Sequence, residues 1–443
     1  MTPRPYQLEG EQAIRRAFLS GARAVLYQAP TGSGKTTVFG RAAARLAARG
    51  KRVLILVHRR ELLGQACTRL DALGVAHERI APAWPWEPLL VQVGSVQTVA
   101  RRLDKLARLG WAPDLVVIDD AHHAIPGSTW GAVLDAWPRA GRLGVSATPA
   151  RLDGVGLGVE VGGYFDALVP GPSVTRLVAE GFLAPSELYV PGRLVNTAGV
   201  AVRCGDFVRA ELAAVTNKPS ITGDAIEHYR ALAPGQPALV FCCSIEHAAD
   251  VAEAFCSAGF AAASVDGRMP AAERTRRLTD FSRGALRVLT SCELLGEGVD
   301  VPAAAVAILL RHTLSETLHL KQIGRVLRPH PDKIAALILD HAGNVLRHGP
   351  PERPREWSLL GRAAREPIHE ELAAPVRRKA RGGGERIPAT ADDSPLVAAE
   401  VDRYGGLRPS DRQLTWDLDR LRSLEVGRAY PPGWAEALYG VAA

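Results

Sequence analysis

Apolar residues along this chain come in short unbroken runs rather than in strict alternation. Between Pro5 and Asp166 the runs are "AVLYQA" (24–29), "RVLILV" (52–57), "LLVQV" (89–93), "LVVID" (115–119) and "RLGVSA" (142–147). Between Phe182 and Asp340 they are "PALVFC" (237–242), "AAASVD" (261–266), "RVLTSC" (287–292), "AVAILL" (305–310) and "AALILD" (335–340). Amphipathic helical segments separate them. Strands that are apolar on both faces, alternating with helices, predict parallel sheets covered on both sides. The expected fold class is therefore α/β, with two tandem lobes at residues 1–168 and 169–348. The stretch "VPGPSVTRLVAEGF" (169–182) is the expected hinge.

Beyond His341 the pattern changes. "PERPREW" and "APVRRKARGGGER" are rich in Pro, Arg and Gly and read as linker within a small extension, residues 349–443. A late helix is expected at "SDRQLTWDLDRLRSLEVG" (410–427), where Ser410 and Gln413 can form a capping box and Gly427 a stop. Leu414, Leu418 and Leu421 share one face of it, the face expected to dock on a lobe. This extension is also the candidate contact for a protein partner. "WPWEP" (84–88) reads as a proline-bounded loop packing its tryptophans on the first lobe, in preference to a base-stacking platform.

Composition narrows the class. With 47% hydrophobic and 23% charged residues, wholesale disorder is excluded. No apolar run approaches the roughly 20 residues of a membrane-spanning helix, so no membrane association is expected. The start "MTPRPYQLEG" lacks the apolar centre of a signal peptide, which predicts a cytoplasmic protein. A net charge of +7 is compatible with a polyanionic partner. The six cysteines form no C-x-x-C pair, so neither disulfides nor zinc are expected, and Cys242 and Cys243 read as buried thiols.

The chemistry is concentrated in two motifs. "APTGSGKTT" (29–37) follows an apolar strand and opens a helix, the setting in which backbone N–H groups cradle phosphate oxygens. Gly32 and Gly34 permit the tight turn, with Thr31 and Ser33 between and beside them. Lys35 would reach the β- and γ-phosphates of ATP, and the Thr36 hydroxyl would ligate Mg²⁺. About 85 residues later, "LVVIDDAHH" (115–123) ends a second strand in two carboxylates. Asp119 is the expected Mg²⁺-organising acid and Asp120 the group that polarises the attacking water.

In order and spacing, these and four further motifs resemble those of superfamily 2 DEAD/DEAH-box-like helicases over residues 4 to about 348. "RPYQ" (4–7) resembles the adenine-recognising segment, with Gln7 as the base-reading residue. "APTGSGKT" is similar to motif I, "DDAH" (119–122) to motif II and "SAT" (146–148) to motif III. "LTSCELLGEGVDVP" (289–302) resembles motif V and "QIGRVLR" (322–328) motif VI. Within the superfamily, "GSVQTVARRLD" (94–104), "GVSATPARLDG" (144–154) and "ILDHAGN" (338–344) resemble the type III restriction ATPases and the RadD-type DNA repair helicases, including chains of phage and prophage type.

The resemblance implies two RecA-like lobes with ATP between them, serving a DNA helicase or translocase in repair, recombination or phage replication. Gly298 and Asp300 would join the nucleotide contacts. Arg325 and Arg328 would reach the phosphates from the second lobe, with Gln322 orienting nucleotide or water. His122, Ser146 and Thr148 would couple ATP state to strand binding. Nucleic acid, DNA rather than RNA, would meet Arg59, Arg60, Ser95, Gln97, Ser244 and Thr290, residue types suited to backbone contacts that carry no sequence information. Two departures stand out: the chain has no cysteine-rich zinc module, and Asp120 stands where the family has glutamate. Asp120 leaves open an ATP-gated DNA clamp with weak turnover. A motor subunit serving a separate nuclease is the third reading.

Overall fold

The computed structural model describes residues 2–80, 88–151, 154–191, 197, 199–203, 205–217, 219–294, 301, 303–361, 396–401 and 407–409. The tryptophan loop from Trp84, the expected helix at 410–427, Gly298, Asp300 and Cys204 lie outside these residues, as does the side chain of Arg60.

The first half of the chain runs α1 (Pro5–Leu19), β1 (Ala24–Gln28), α2 (Lys35–Ala47), β2 (Val53–Val57), α3 (Arg60–Ala72), β3 (Glu78–Ile80) and β4 (Val91–Ser95). It continues through α4 (Val96–Ala100), α5 (Leu103–Arg108), β5 (Leu115–Asp119), α6 (Thr129–Asp135), β6 (Gly141–Ser146) and β7 (Ala167–Pro170). These seven strands form one parallel sheet in the order β3-β4-β2-β5-β6-β1-β7. Strands β1 and β2 are buried along their whole length, which is why they read as unbroken apolar runs. One apolar layer packs Phe39, Leu70 and Tyr27 on one face, and a second packs Trp111, Trp130 and Phe165 on the other.

The second half runs α7 (Val174–Ala179), β8 (Ser186–Pro191), a small hairpin of β9 (Val202–Arg203) and β10 (Asp206–Phe207), α8 (Arg209–Thr216), α9 (Pro219–Leu232), β11 (Ala238–Phe241), α10 (Ile245–Ser257) and β12 (Ala262–Val265). Then come α11 (Ala271–Ser282), β13 (Val288–Ser291), β14 (Val306–Leu309), α12 (Glu316–Ile323), β15 (Ala336–Asp340), α13 (Asn344–His348), β16 (Leu396–Val401) and β17 (Leu407–Pro409). The second sheet has the order β12-β13-β11-β14-β15-β8-β16-β17, parallel as far as β8 and antiparallel beyond it.

The fold class is thus two α/β lobes. The structure adds elements that the apolar runs miss. β3 is three residues long, and half of β8 is only half-buried. The stretch read as a hinge holds the end of β7 and all of α7. Two strands from the C-terminal region, β16 and β17, extend the second sheet. Residues 349–361 cross back to the first lobe. There Gly158 N–H donates to the Leu359 carbonyl at 2.9 Å, and Val155 bridges to Gly361. Cys242 and Cys243 are buried, and burial pushes both thiols up in pKa. Among the described residues no helix is long and apolar enough to cross a membrane.

Candidate active site

Strands β5, β6 and β1 are neighbours in the first sheet, so their C-terminal ends lie side by side. That adjacency gathers the phosphate-loop motif after β1, the Asp119–Asp120 pair after β5 and Ser146 at the end of β6. Open parallel sheets offer their ligand crevice at this edge.

The loop is shaped for close approach of an anion. Gly32 and Gly34 have φ of +86° and +78°, a left-handed region that favours glycine. A Cβ at Gly34 would lie 2.5 Å from Gln7 Nε2, so the loop fits against α1 only without one. Helix α2 starts at Lys35 with no side chain capping its first turn. Tyr6 Oη and Gln7 Nε2 both donate to the Ser33 carbonyl, at 2.8 and 3.0 Å. Gln7 is therefore anchored against the loop, and Ser33 Oγ closes it by donating to the Pro30 carbonyl at 2.7 Å.

Lys35 Nζ donates to the Ala29 and Pro30 carbonyls at 3.0 and 3.2 Å. Burial lowers its pKa; Asp120 and Asp119 oppose that, and Arg328 and Arg325 reinforce it. Burial and the adjacent Asp120 push the Asp119 carboxyl up, against Lys35. Two carboxylates of the first lobe and two arginines of the second thus act on one ammonium. The approach is tight: a Cβ on Gly324, in the second lobe, would meet Thr31 Cβ at 2.5 Å, and one on Gly32 would meet Arg328 Cγ at 3.4 Å. Gln322 is buried and its Oε1 has no hydrogen-bond partner among the described residues.

These residues fit a magnesium nucleotide. Thr36 is half-buried in the first turn of α2, and Asp119 is half-buried at the end of β5. A hydroxyl and a carboxylate oxygen are hard donors of the kind Mg²⁺ takes beside phosphate oxygens. Among the described residues no group of three or more His, Cys, Asp or Glu side chains could hold a metal ion by itself.

Asp120 has φ 55° and ψ 52°, the one non-glycine positive φ among the described residues. Asp and Asn are several-fold enriched in this region, a preference worth about 1 kcal/mol. The backbone turn after β5 therefore suits aspartate. Asp120→Glu is expected to cost about 1 kcal/mol of stability on these grounds, and Asp120→Asn less. Chemical denaturation of the three proteins checks this, and equal midpoints would remove the conformational explanation.

His122, Ser146 and Thr148, the residues expected to couple ATP state to strand binding, are in contact. His122 Nδ1 lies 3.4 Å from Ser146 Oγ, which donates to the Thr148 carbonyl at 2.9 Å and accepts the Thr148 N–H at 3.2 Å. The residue that sequence reasoning missed is Lys321, whose Nζ donates to His122 Nε2 at 2.9 Å from the second lobe. The signal was its place: Lys321 stands in the last turn of α12, immediately before the "QIGRVLR" motif that carries Arg325 and Arg328.

The nucleic-acid candidates fare unevenly. Gln97 is exposed and Arg59 half-buried. Ser95 and Ser244 are helix caps, accepting from Thr98 N and His247 N at 3.3 and 3.0 Å. Thr290 is corrected: it is fully buried, and its hydroxyl donates to the Ala248 carbonyl at 2.5 Å, which leaves it no reach to a phosphate here.

Comparison with known proteins agrees with this layout. A family model described as "Type III restriction enzyme, res subunit" matches residues 1–151, and one described as "Helicase conserved C-terminal domain" matches residues 222–330. A Lactococcus phage (isolate 7-9) protein named "51.5 kDa protein" is 31% identical over 333 residues, 75% of this chain and 68% of that one. The Saccharomyces cerevisiae protein named "Putative ATP-dependent helicase IRC3" is 27% identical over 360 residues, 77% of this chain and 51% of the yeast protein. This chain thus spans about half the length of the yeast relative. The structure of the DNA-bound ATP-dependent type ISP restriction-modification enzyme LlaBIII superposes with a TM-score of 0.57 at 16% identity, covering 76% of this chain and 28% of that one.

Proposed function

This chain belongs to the superfamily 2 helicases, in the group of the type III restriction ATPases, and from that premise we propose that it hydrolyses ATP to move along nucleic acid, DNA rather than RNA. The observation that carries the reading is the meeting of two lobes at the phosphate loop: Gly324 packs on Thr31 and Arg328 on Gly32 from the second lobe, beside Lys35 and the Asp119–Asp120 pair of the first. An active site divided in this way works only when closed, so turnover and domain motion are coupled.

In the proposed reaction Lys35 and the loop N–H groups hold the β- and γ-phosphates. Asp120 accepts a hydrogen bond from the attacking water, and the two arginines stabilise charge on the transferring phosphoryl group. Thr36 and Asp119 would hold Mg²⁺, which would supply charge neutralisation at the phosphates. DNA is preferred on the restriction-group resemblance, with repair, recombination or phage replication as the setting. Arg59, Arg60, Ser95, Gln97 and Ser244 are the proposed backbone contacts, and Gly298 and Asp300 remain proposed nucleotide contacts.

ATP turnover is expected to rise on adding single-stranded or forked DNA and to rise less with RNA. The apparent DNA affinity should fall with salt, with a log–log slope of about 0.7 per phosphate contacted on a single strand. Turnover that ignores both nucleic acids, or that responds to RNA alone, would overturn the reading. A second reading, an ATP-gated clamp with weak turnover, is favoured by the short reach of Asp120. DNA affinity that depends on nucleotide without net hydrolysis would support it. A third, a motor subunit for a separate nuclease, draws on the 28% share of the restriction enzyme that this chain covers. Co-purification of a nuclease would support that one.

A further inference from the structure

Lys321 lies on α12 of the second lobe and is buried, yet its ammonium faces the first. It stands 2.9 Å from His122 Nε2 and 4.0 Å from Asp120 Oδ1. An ammonium has donors only, so His122 Nε2 must be the acceptor and the imidazole proton must sit on Nδ1. The far side of the ring agrees. Ser146 Oγ spends its own hydrogen on the Thr148 carbonyl, which leaves it to accept from His122 Nδ1. Asp120 Oδ1 lies 3.9 Å from the same nitrogen. One directional chain therefore runs from the second lobe through His122 to Ser146 and Thr148, with the Asp120 carboxylate beside both of its charged or protonated ends.

We propose that Lys321 is a positioning residue. Reaching across the cleft, it fixes the His122 tautomer and holds the Asp120 carboxylate in register, so the short acid is set in place only when the lobes are together. This rests on the ATPase reading above, because its consequence is for the group that orients the attacking water. A carboxylate one methylene shorter than glutamate sits about 1.5 Å nearer its backbone. A placement error of about 1 Å can cost on the order of 10²-fold in rate, so a device that fixes the carboxylate has a measurable effect.

The test uses the full chain, with wild type, Lys321→Met, Asp120→Asn and the double variant. Lys321→Met is expected to lower kcat about 10- to 10²-fold with KM for ATP nearly unchanged, and to add almost nothing in the Asp120→Asn background, because groups acting as a unit are not additive. An equal loss in both backgrounds, or no loss, overturns the proposal. Wild-type turnover no higher than that of Lys35→Ala would instead defeat the ATPase reading. A second measurement is independent of turnover: ¹⁵N histidine NMR, with His122 assigned through His122→Gln. The Nδ1–H tautomer is expected in wild type and its loss in Lys321→Met. An Nε2–H tautomer in wild type, or no change in the variant, also overturns it.

Discussion

Lys35→Ala is expected to reduce ATP turnover by at least about 10³-fold while leaving the fold intact. The magnitude follows from charge. An ammonium about 4 Å from a single phosphate charge at an effective dielectric of 20 contributes about 4 kcal/mol, and each 1.36 kcal/mol is tenfold in rate. The fold should survive because Lys35 is half-buried and its ammonium donates to the Ala29 and Pro30 carbonyls of its own loop. Loop shape is held by other groups: Tyr6 and Gln7 on the Ser33 carbonyl, and Ser33 Oγ on Pro30. The measurement is steady-state hydrolysis beside a thermal melt. A variant that melts like wild type and hydrolyses within tenfold of it would show that the loop does not hold the reacting phosphate.

How much of this was legible in the sequence depends on whether a feature is local. The phosphate loop was legible because its glycines, lysine and threonine are consecutive and their strand-to-helix setting can be read from flanking apolar residues. The Asp119–Asp120 pair was legible for the same reason. Its meeting with the loop depends on β5, β6 and β1 being neighbours, and strand order is not written in a run of five apolar residues. Thr290 shows the same limit. On a strand buried on both faces the period-2 signal vanishes, so nothing in "RVLTSC" tells that its hydroxyl turns under α10 to the Ala248 carbonyl. The left-handed backbone at Asp120 was also hidden, although it gives the aspartate a conformational reason to be there. Least legible was the return of residues 349–361 to the first lobe. A Cβ at Gly156 would collide with the Leu359 backbone, so the crossing depends on a glycine some 200 residues away.

Arg325→Ala is expected to lower turnover by about 10³- to 10⁵-fold, the range for an arginine that stabilises a transferring phosphoryl group. Arg325→Lys should recover little, because an ammonium cannot reproduce the planar fork that bonds two phosphate oxygens. The loss should appear in kcat far more than in nucleotide affinity, as expected of a charge that acts on the phosphoryl group in transfer. Equilibrium binding of a fluorescent ATP analogue separates the two. Arg325 lies just after Gly324, whose missing Cβ allows the second lobe to pack on Thr31 of the loop. Closure and the placing of the guanidinium are therefore one event, brought about by adjacent residues. If Arg325→Ala instead weakened analogue binding by the full factor and left kcat alone, the arginine would be a nucleotide anchor. The coupling of turnover to lobe closure would then have to rest on Arg328 and Lys321.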